Sequence, residues 1–188
     1  LTPGWKGCAS SYKFLAQRAL QNGRDRLLIC EDDVDLSETS PAQLEAVDRY
    51  LHTNRGQWDI FAGLIADLHP DTEVLDVQEH EGMTFVTLNK MTSMVYNIYS
   101  RRALEVISNW DPASSDPVTD TIDRYLERSA HIRAVTTLPF LAGHRVDAHS
   151  SLWGITNEGY TDLISRSEQL LAQKVQQFKT ATQAGRDG

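Results

Sequence analysis

Residues 28–36, "LICEDDVDL", join a short apolar run to a dense group of acidic side chains. The run from Arg26 to Cys30 is short and ends abruptly, which predicts a buried strand of an α/β sheet. Four carboxylates follow within five positions: Glu31, Asp32, Asp33 and Asp35. Because like charges this close repel one another, the group raises the question of which positive partner it binds.

The segments around this stretch alternate between helical and strand patterns. Capping residues, prolines at first helical positions and apolar stripes predict helices at 3–21, 41–51, 101–110, 119–129 and 160–180. Apolar or alternating runs predict strands at 26–30, 58–66, 92–100 and 131–142, and a hairpin that turns at Glu81-Gly82. This order predicts an α/β fold, with a mixed sheet flanked by helices, in one domain spanning 1–188. Its C-terminal helix and tail occupy 160–188.

The composition is that of an acidic globular protein. The chain has 188 residues and a net charge of −8, which argues against a surface for nucleic acid or anionic membranes. No apolar run approaches the roughly 20 residues of a membrane span. The sequence begins without Met, which is compatible with a piece of a longer protein. We expect a cytoplasmic protein, or one of the secretory-pathway lumen if a longer precursor is processed.

The spacing of the acidic residues has two interpretations. If the strand continued, Glu31, Asp33 and Asp35 would share one side, at the sheet end where α/β folds place their ligands. A hard divalent cation such as Mn²⁺ or Mg²⁺ would then compensate the charges, since both prefer oxygen ligands. A solvated acidic turn that caps the next segment accounts for the spacing equally well.

Longer stretches of the sequence resemble the motifs of a known protein family. The stretch "LTPGWKGCASSYKFLAQRALQNGRDRLLICEDDVDL" resembles the segment of glycosyltransferase family 25 in which "LTPGEIGC-x-SH" leads to a strand ending in "LEDDV". "TSMVYNIYSRRALEVI" and, more weakly, "DPVTDTIDRYL" are similar to later motifs of the same family. The resemblance covers residues 1–126. The family contains lipooligosaccharide and collagen galactosyltransferases.

The resemblance implies a GT-A fold and a metal-dependent, inverting transfer of galactose or glucose from a UDP-sugar to a glycan or protein acceptor. It implies Asp33 as the ligand of Mn²⁺ or Mg²⁺, Glu31 and Asp32 as contacts of the donor, and Asp35 as an added carboxylate near the metal. Two features depart from the family. Its "SH" pair is here Ser11-Tyr12, and the first nucleotide-binding strand, which precedes "LTPG" in the family, is missing from this sequence.

The segment "TDTIDRYL" contains the candidates for a catalytic base. An inverting transfer needs a base that takes the acceptor proton on the face opposite the departing diphosphate. Asp120 and Asp123 are the candidates, and Asp120 aligns better with the family motif. Capping of a helix and pairing on its surface are the alternative roles of these two residues.

Further candidates lie in two other segments. Thr92 and Ser93 lie at the start of a predicted strand, just before Val95, and are candidates for hydrogen bonds to the donor sugar, or ordinary polar groups of a strand. In "AGHRVDAHSSLWG", His144 and His149 are candidate metal ligands, and Arg145 is a candidate contact for phosphate. Exposed loop positions are the alternative for both histidines.

The main competing hypothesis for function is a non-catalytic module with a GT-A-like fold that binds glycan or a partner protein. A metal-dependent phosphotransfer enzyme or hydrolase is the third. We expect the closing helix to pack against its own sheet, with contact between two copies of the chain as the alternative.

Overall fold

A computed structural model of the chain describes residues 3–113, 115–129, 132–147 and 158–185. The helices are α1 (Gly4–Gln21), α2 (Pro41–Thr53), α3 (Arg101–Ser108), α4 (Ile122–Arg128) and α5 (Glu158–Ala184). The strands are β1 (Arg26–Cys30), β2 (Val34–Asp35), β3 (Ile60–Ala62), β4 (Val74–His80), β5 (Met83–Leu88), β6 (Tyr96–Ser100), β7 (Ala134–Leu138) and β8 (Gly143–His144).

Six of the strands form one mixed sheet in the order β1-β6-β3-β7-β5-β4. The β3–β7 pair is parallel, and the other neighbouring pairs are antiparallel. Strands β2 and β8 form a separate antiparallel ribbon beside it. The prediction of an α/β fold with a mixed sheet flanked by helices is therefore confirmed.

Local sequence signals account for several element ends. Strands β4 and β5 turn at Glu81 and Gly82, whose φ angles of 50° and 77° are those of a tight hairpin turn. Ser40 begins α2 with a reciprocal capping box to Gln43. The Ser100 hydroxyl accepts a hydrogen bond from the amide of Ala103 at the start of α3. These three predictions from sequence are confirmed.

Three predicted strands are shorter in the structure. Only Ile60–Ala62 of 58–66, Tyr96–Ser100 of 92–100 and Ala134–Leu138 of 131–142 belong to the sheet. The chain leaves β3 at Gly63, where a Cβ atom would lie only 2.6 Å from Cδ1 of Tyr96. Glycine therefore permits a close approach to the Tyr96 ring, and the residues that follow line a pocket instead of extending the strand.

The apolar core lies on both faces of the sheet. Along β3, Ile60 and Ala62 join a cluster with residues of α1, α3, α4 and α5, whereas Phe61 joins a second cluster with residues of α2. Leu171 and Val175 of α5 are buried in the first cluster. The closing helix therefore packs on its own sheet, as predicted, and contact between copies stays a prediction. No helix within the described ranges is long and apolar enough to cross a membrane.

Candidate functional site

A pocket of about 540 Å³ lies where β1 ends. Side chains from α1, α4 and α5 form its largely apolar walls, including Trp5, Ile122 and Leu163. Four carboxylic acids line the same pocket: Glu31, Asp33, Asp67 and Asp123. The structure thus joins the acidic stretch after β1 to an acidic residue about ninety positions later in the chain. This pocket is the candidate functional site.

The acidic stretch reaches the pocket through a turn, and the predicted strand alternation is wrong. Strand β1 ends at Cys30, and the amide of Val34 donates to the carbonyl oxygen of Glu31 at 3.4 Å, which closes a turn. Glu31 and Asp33 line the pocket; Asp32 is exposed and, like Asp35, is not among the lining residues.

Asp35 forms its own local contacts, as a capping residue would. Its Oδ1 accepts a hydrogen bond of 2.8 Å from the amide of Ser37. Hydrogen bonds from Ser37, together with the nearby charges of Arg145 and His144, hold the pKa of Asp35 below its ordinary value. Of the two interpretations of the spacing, the acidic turn describes Asp35, whereas a ligand site fits Glu31 and Asp33.

The β2–β8 ribbon brings the later candidates beside the acidic turn. Val34 pairs with His144, and His144 lines the pocket. The amide of Arg145 donates to the carbonyl oxygen of Asp33 at 2.7 Å, but its guanidinium pairs with Asp147 at 3.2 Å. The structure therefore brings His144 into the site, and Arg145 supports the turn through its backbone. His149 lies outside the described residues.

The two candidate bases have different surroundings. Asp123, near the start of α4, lines the pocket. Asp120 is not among the lining residues, and its Oδ1 accepts a hydrogen bond of 2.9 Å from Arg128. Burial raises the pKa of Asp120, but hydrogen bonds from Asp116 and Thr119 and the pairing with Arg128 outweigh it and lower the pKa. The geometry favours Asp123 as a group that can reach a ligand.

Thr92 and Ser93 both lie on the pocket wall and are buried. The hydroxyl oxygen of Thr92 accepts a hydrogen bond of 3.3 Å from Nη1 of Arg124. The hydroxyl of Ser93 is 3% exposed and has no hydrogen-bond partner among the described residues. A buried hydroxyl without a partner is costly, so Ser93 is a position where a polar ligand would relieve an unfavourable state.

Arg124 is a pocket residue that the sequence did not single out. Its Nη1 lies 2.7 Å from Nε2 of His69 and donates to Glu127 at 3.1 Å, as well as to Thr92. Asp67 lies 3.9 Å from Nη2 of the same guanidinium. Arg124 directly follows Asp123 in the motif "TIDRYL", and Glu127 is its neighbour on α4, but the other three partners come from distant segments. The local sequence therefore gave no signal for this network.

The charges in the pocket are unbalanced around Glu31. The pKa of Glu31 is raised from 4.5 to about 7, chiefly by burial and in addition by the neighbouring charges of Asp33, Asp123 and Asp32. Carboxylates from the turn and from α4 therefore repel one another in a partly apolar cavity. A bound cation would relieve this repulsion.

Neutralisation of Glu31 is expected to stabilise the protein at high pH. The folded state binds the Glu31 proton more tightly than the unfolded state, so the contribution of Glu31 to the free energy of unfolding is greatest below pH 4.5 and is lost as the pH rises through about 7. Glu31→Gln removes this loss, which amounts to about 3 kcal/mol for a shift of this size. Urea unfolding of the parent and of Glu31→Gln, near pH 8 and near pH 4, measures the difference in their free energies of unfolding.

We expect the variant to exceed the parent protein in stability at the higher pH and to match it at the lower. Glu38→Gln is the matched control, since Glu38 is an exposed residue of the following loop. Equal stability of Glu31→Gln and parent at both pH values would show that the pKa of Glu31 is not raised in solution.

The side-chain atoms of the pocket that could bind a metal ion suit a hard cation only in part. The described residues contain no group of three or more His, Cys, Asp or Glu side chains arranged to hold a metal ion. Glu31, Asp33 and His144 nevertheless line one cavity, and carboxylate oxygen is the ligand that Mn²⁺ and Mg²⁺ prefer. Glu31 and Asp33 therefore offer oxygen ligands, but not a complete set for a cation.

Comparison of the chain with models of protein families found no match, and comparison with curated proteins found none. The resemblance to glycosyltransferase family 25 therefore stays a prediction carried by the motifs themselves.

Proposed function

We propose that the chain is a metal-dependent, inverting glycosyltransferase with a GT-A-like fold. It transfers galactose or glucose from a UDP-sugar to a hydroxyl group of a glycan or protein acceptor. The observation that carries the proposal is the meeting of Glu31, Asp33 and Asp123 in one cavity beyond the end of β1. The family motifs independently assign the first two of these residues to a donor and metal site.

The pocket residues suit the binding of a sugar donor. Arg124 donates a hydrogen bond to the Thr92 oxygen, which leaves the Thr92 proton available for an oxygen of the donor. The buried Ser93 hydroxyl gains a partner from the same ligand. Glu31 accepts hydrogen bonds from sugar hydroxyls. Asp33 holds the Mn²⁺ or Mg²⁺ ion, with His144 next to it.

The chemistry needs one proton acceptor and a stabilised leaving group. In the proposed reaction, Asp123 takes the proton of the acceptor hydroxyl while that oxygen attacks the anomeric carbon. The metal ion, when bound, neutralises the negative charge that develops on the departing diphosphate. The apolar walls around Trp5 and Ile122 limit the access of water, which would otherwise compete with the acceptor.

Asp33→Asn is expected to abolish the metal-dependent stabilisation of the protein by UDP. A ligand that binds only the folded state raises the free energy of unfolding by about 3 kcal/mol at a hundred times its Kd. We expect UDP with Mn²⁺ to raise the melting temperature of the parent protein, and each component alone to raise it much less. Thermal unfolding with UDP, with Mn²⁺ and with both measures the effect.

Asp35→Asn is the matched control, because Asp35 carries the same charge two residues away and is hydrogen-bonded to Ser37. It is expected to keep the response to UDP and Mn²⁺. If Asp33→Asn keeps the response and Asp35→Asn loses it, the metal assignment within the turn is wrong. If the parent protein does not respond to UDP with Mn²⁺, the donor assignment is wrong and the binding-module hypothesis is favoured.

A further inference from the structure

A second cavity, of about 500 Å³, lies at the opposite end of β1 from the acidic pocket. It is bounded by the start of β1 at Arg26, by the end of α2 and by the start of α3 at Arg101. Five of the 18 Lys and Arg residues of the chain line it. They are Arg26, Arg55, Arg101, Arg102 and Arg133.

Positive charge exceeds negative charge in this cavity. Three acidic residues line it against the five arginines: Asp25, Asp59 and Glu105. Asp25 pairs with both Arg55 and Arg101, and Arg101 also pairs with Glu105 at 3.1 Å. Outside the lining, Asp48 pairs with Arg26 at 2.9 Å. A local excess of positive charge is unexpected in a chain whose net charge is −8.

The base of the cavity is rigid. Trp58 is 4% exposed, and its Nε1 donates to the carbonyl oxygen of Leu51 at 2.9 Å. Asp59 is 1% exposed and accepts a hydrogen bond of 2.8 Å from the amide of Arg133. Asp59 also pairs with Arg102 at 3.3 Å. Buried contacts therefore fix the backbone from which the arginine side chains extend.

The guanidinium groups themselves remain accessible. The side chains of Arg55 and Arg101 are 70% and 50% exposed, and that of Arg26 is 39% exposed. Guanidinium groups bind phosphate oxygens through two parallel hydrogen bonds and lose little hydration in doing so. The volume of the cavity is within the usual range for small-molecule sites.

We propose that this cavity binds a small phosphorylated molecule at a site separate from the acidic pocket. Its phosphate group pairs with Arg55 and Arg101, which both contact Asp25 in the structure, and Arg26 adds positive charge across the cavity. The proposal does not depend on the glycosyltransferase assignment. The two cavities lie at opposite ends of β1 and have opposite charge, so each can be tested while the other is left intact.

Titration of the protein with inorganic phosphate and with pyrophosphate, followed by calorimetry at constant ionic strength, tests the site. We expect saturable binding, tighter for pyrophosphate because it presents more charged oxygens to the arginines. Arg55→Gln and Arg101→Gln are each expected to weaken pyrophosphate binding by about tenfold, since each removes a charge-assisted pair of hydrogen bonds.

Arg49→Gln is the matched control for Arg101→Gln. The side chains of Arg49 and Arg101 are both 50% exposed, and each pairs with a glutamate four positions away in its own helix. Arg49 does not line the cavity. Pyrophosphate binding that is unchanged in Arg49→Gln and weakened in the other two variants supports the site. Equal weakening in all three variants, or no saturable binding by the parent protein, overturns it.

A further variant separates this proposal from the glycosyltransferase assignment. Asp33→Asn is expected to leave pyrophosphate binding in the absence of metal unchanged, because Asp33 lies in the acidic pocket at the other end of β1. If Asp33→Asn instead strengthens that binding, because it removes a negative charge beside the anion, the anion occupies the acidic pocket and the arginine site is wrong. If Asp33→Asn loses the rise in melting temperature with UDP and Mn²⁺, that result bears only on the proposal that the acidic pocket binds a UDP-sugar.

Discussion

Asp123→Asn is expected to reduce the rate of hexose transfer by about 10²–10⁴-fold, the usual contribution of a positioned general base. The amide cannot accept the proton of the acceptor hydroxyl at neutral pH, although it is nearly the same size as the carboxylate. Release of UDP from UDP-galactose or UDP-glucose, with Mn²⁺ and a panel of glycan acceptors, measures the rate. We expect Asp123→Asn to retain UDP binding, because in the proposed reaction Asp123 acts on the hydroxyl group of the acceptor and not on UDP.

Asp120→Asn is the control that distinguishes the two candidate bases. Asp120 pairs with Arg128 outside the lining of the pocket, so its loss is expected to change stability slightly and transfer by less than about tenfold. The opposite pattern, in which Asp120→Asn abolishes transfer and Asp123→Asn does not, would return the role of base to Asp120. Unfolding curves of both variants show whether a lost activity reflects a lost fold.

Trp110→Ala is expected to lower the free energy of unfolding by about 3–5 kcal/mol, as is usual when a fully buried aromatic side chain is removed. Trp110 is 0% exposed and packs in the cluster shared by α1, α3, α4 and α5. Its Nε1 also donates to the carbonyl oxygen of Asp120 at 2.9 Å, just before α4 begins. The variant therefore loses apolar contacts and leaves this carbonyl without its indole donor.

Urea unfolding of Trp110→Ala and Phe14→Ala measures this effect against an aromatic residue of similar chemistry. Phe14 is 59% exposed on α1, so its replacement is expected to change stability by less than about 1 kcal/mol. A small effect of Trp110→Ala would show that α3 and α4 do not pack on the core as described. Because Trp110 contacts the segment that leads into α4, we also expect its loss to weaken the positioning of Asp123.

Much of the fold was predictable because its signals are local. The Ser40-Pro41 start of α2, the Ser100 cap of α3 and the Glu81-Gly82 turn each depend on residues within four positions of one another. Strand lengths were less predictable. Gly63, which follows β3, packs against the ring of Tyr96, more than thirty residues away in sequence.

The candidate site was predicted in composition but not in geometry. The acidic residues after β1 were visible as a dense group, yet the turn at Glu31 sends Asp33 and Asp35 into different surroundings. The preference for Asp123 over Asp120 follows from the packing of α4, which no local pattern indicates. No local pattern indicates that Arg124 belongs to the pocket, because His69 and Thr92, which it contacts there, are distant in sequence.

The sequence by itself determined the order of the helices and of the six strands of the main sheet, the position of the acidic stretch at the end of a strand, and a resemblance in motifs. These features depend on periodicity, capping and residue identity over short distances. The sequence did not indicate strands β2 and β8. Only the tertiary structure decided which carboxylates share a cavity, because that depends on where α4 and the β2–β8 ribbon pack. The same is true of the arginine cavity, whose five guanidinium groups come from segments that only the folded sheet brings together.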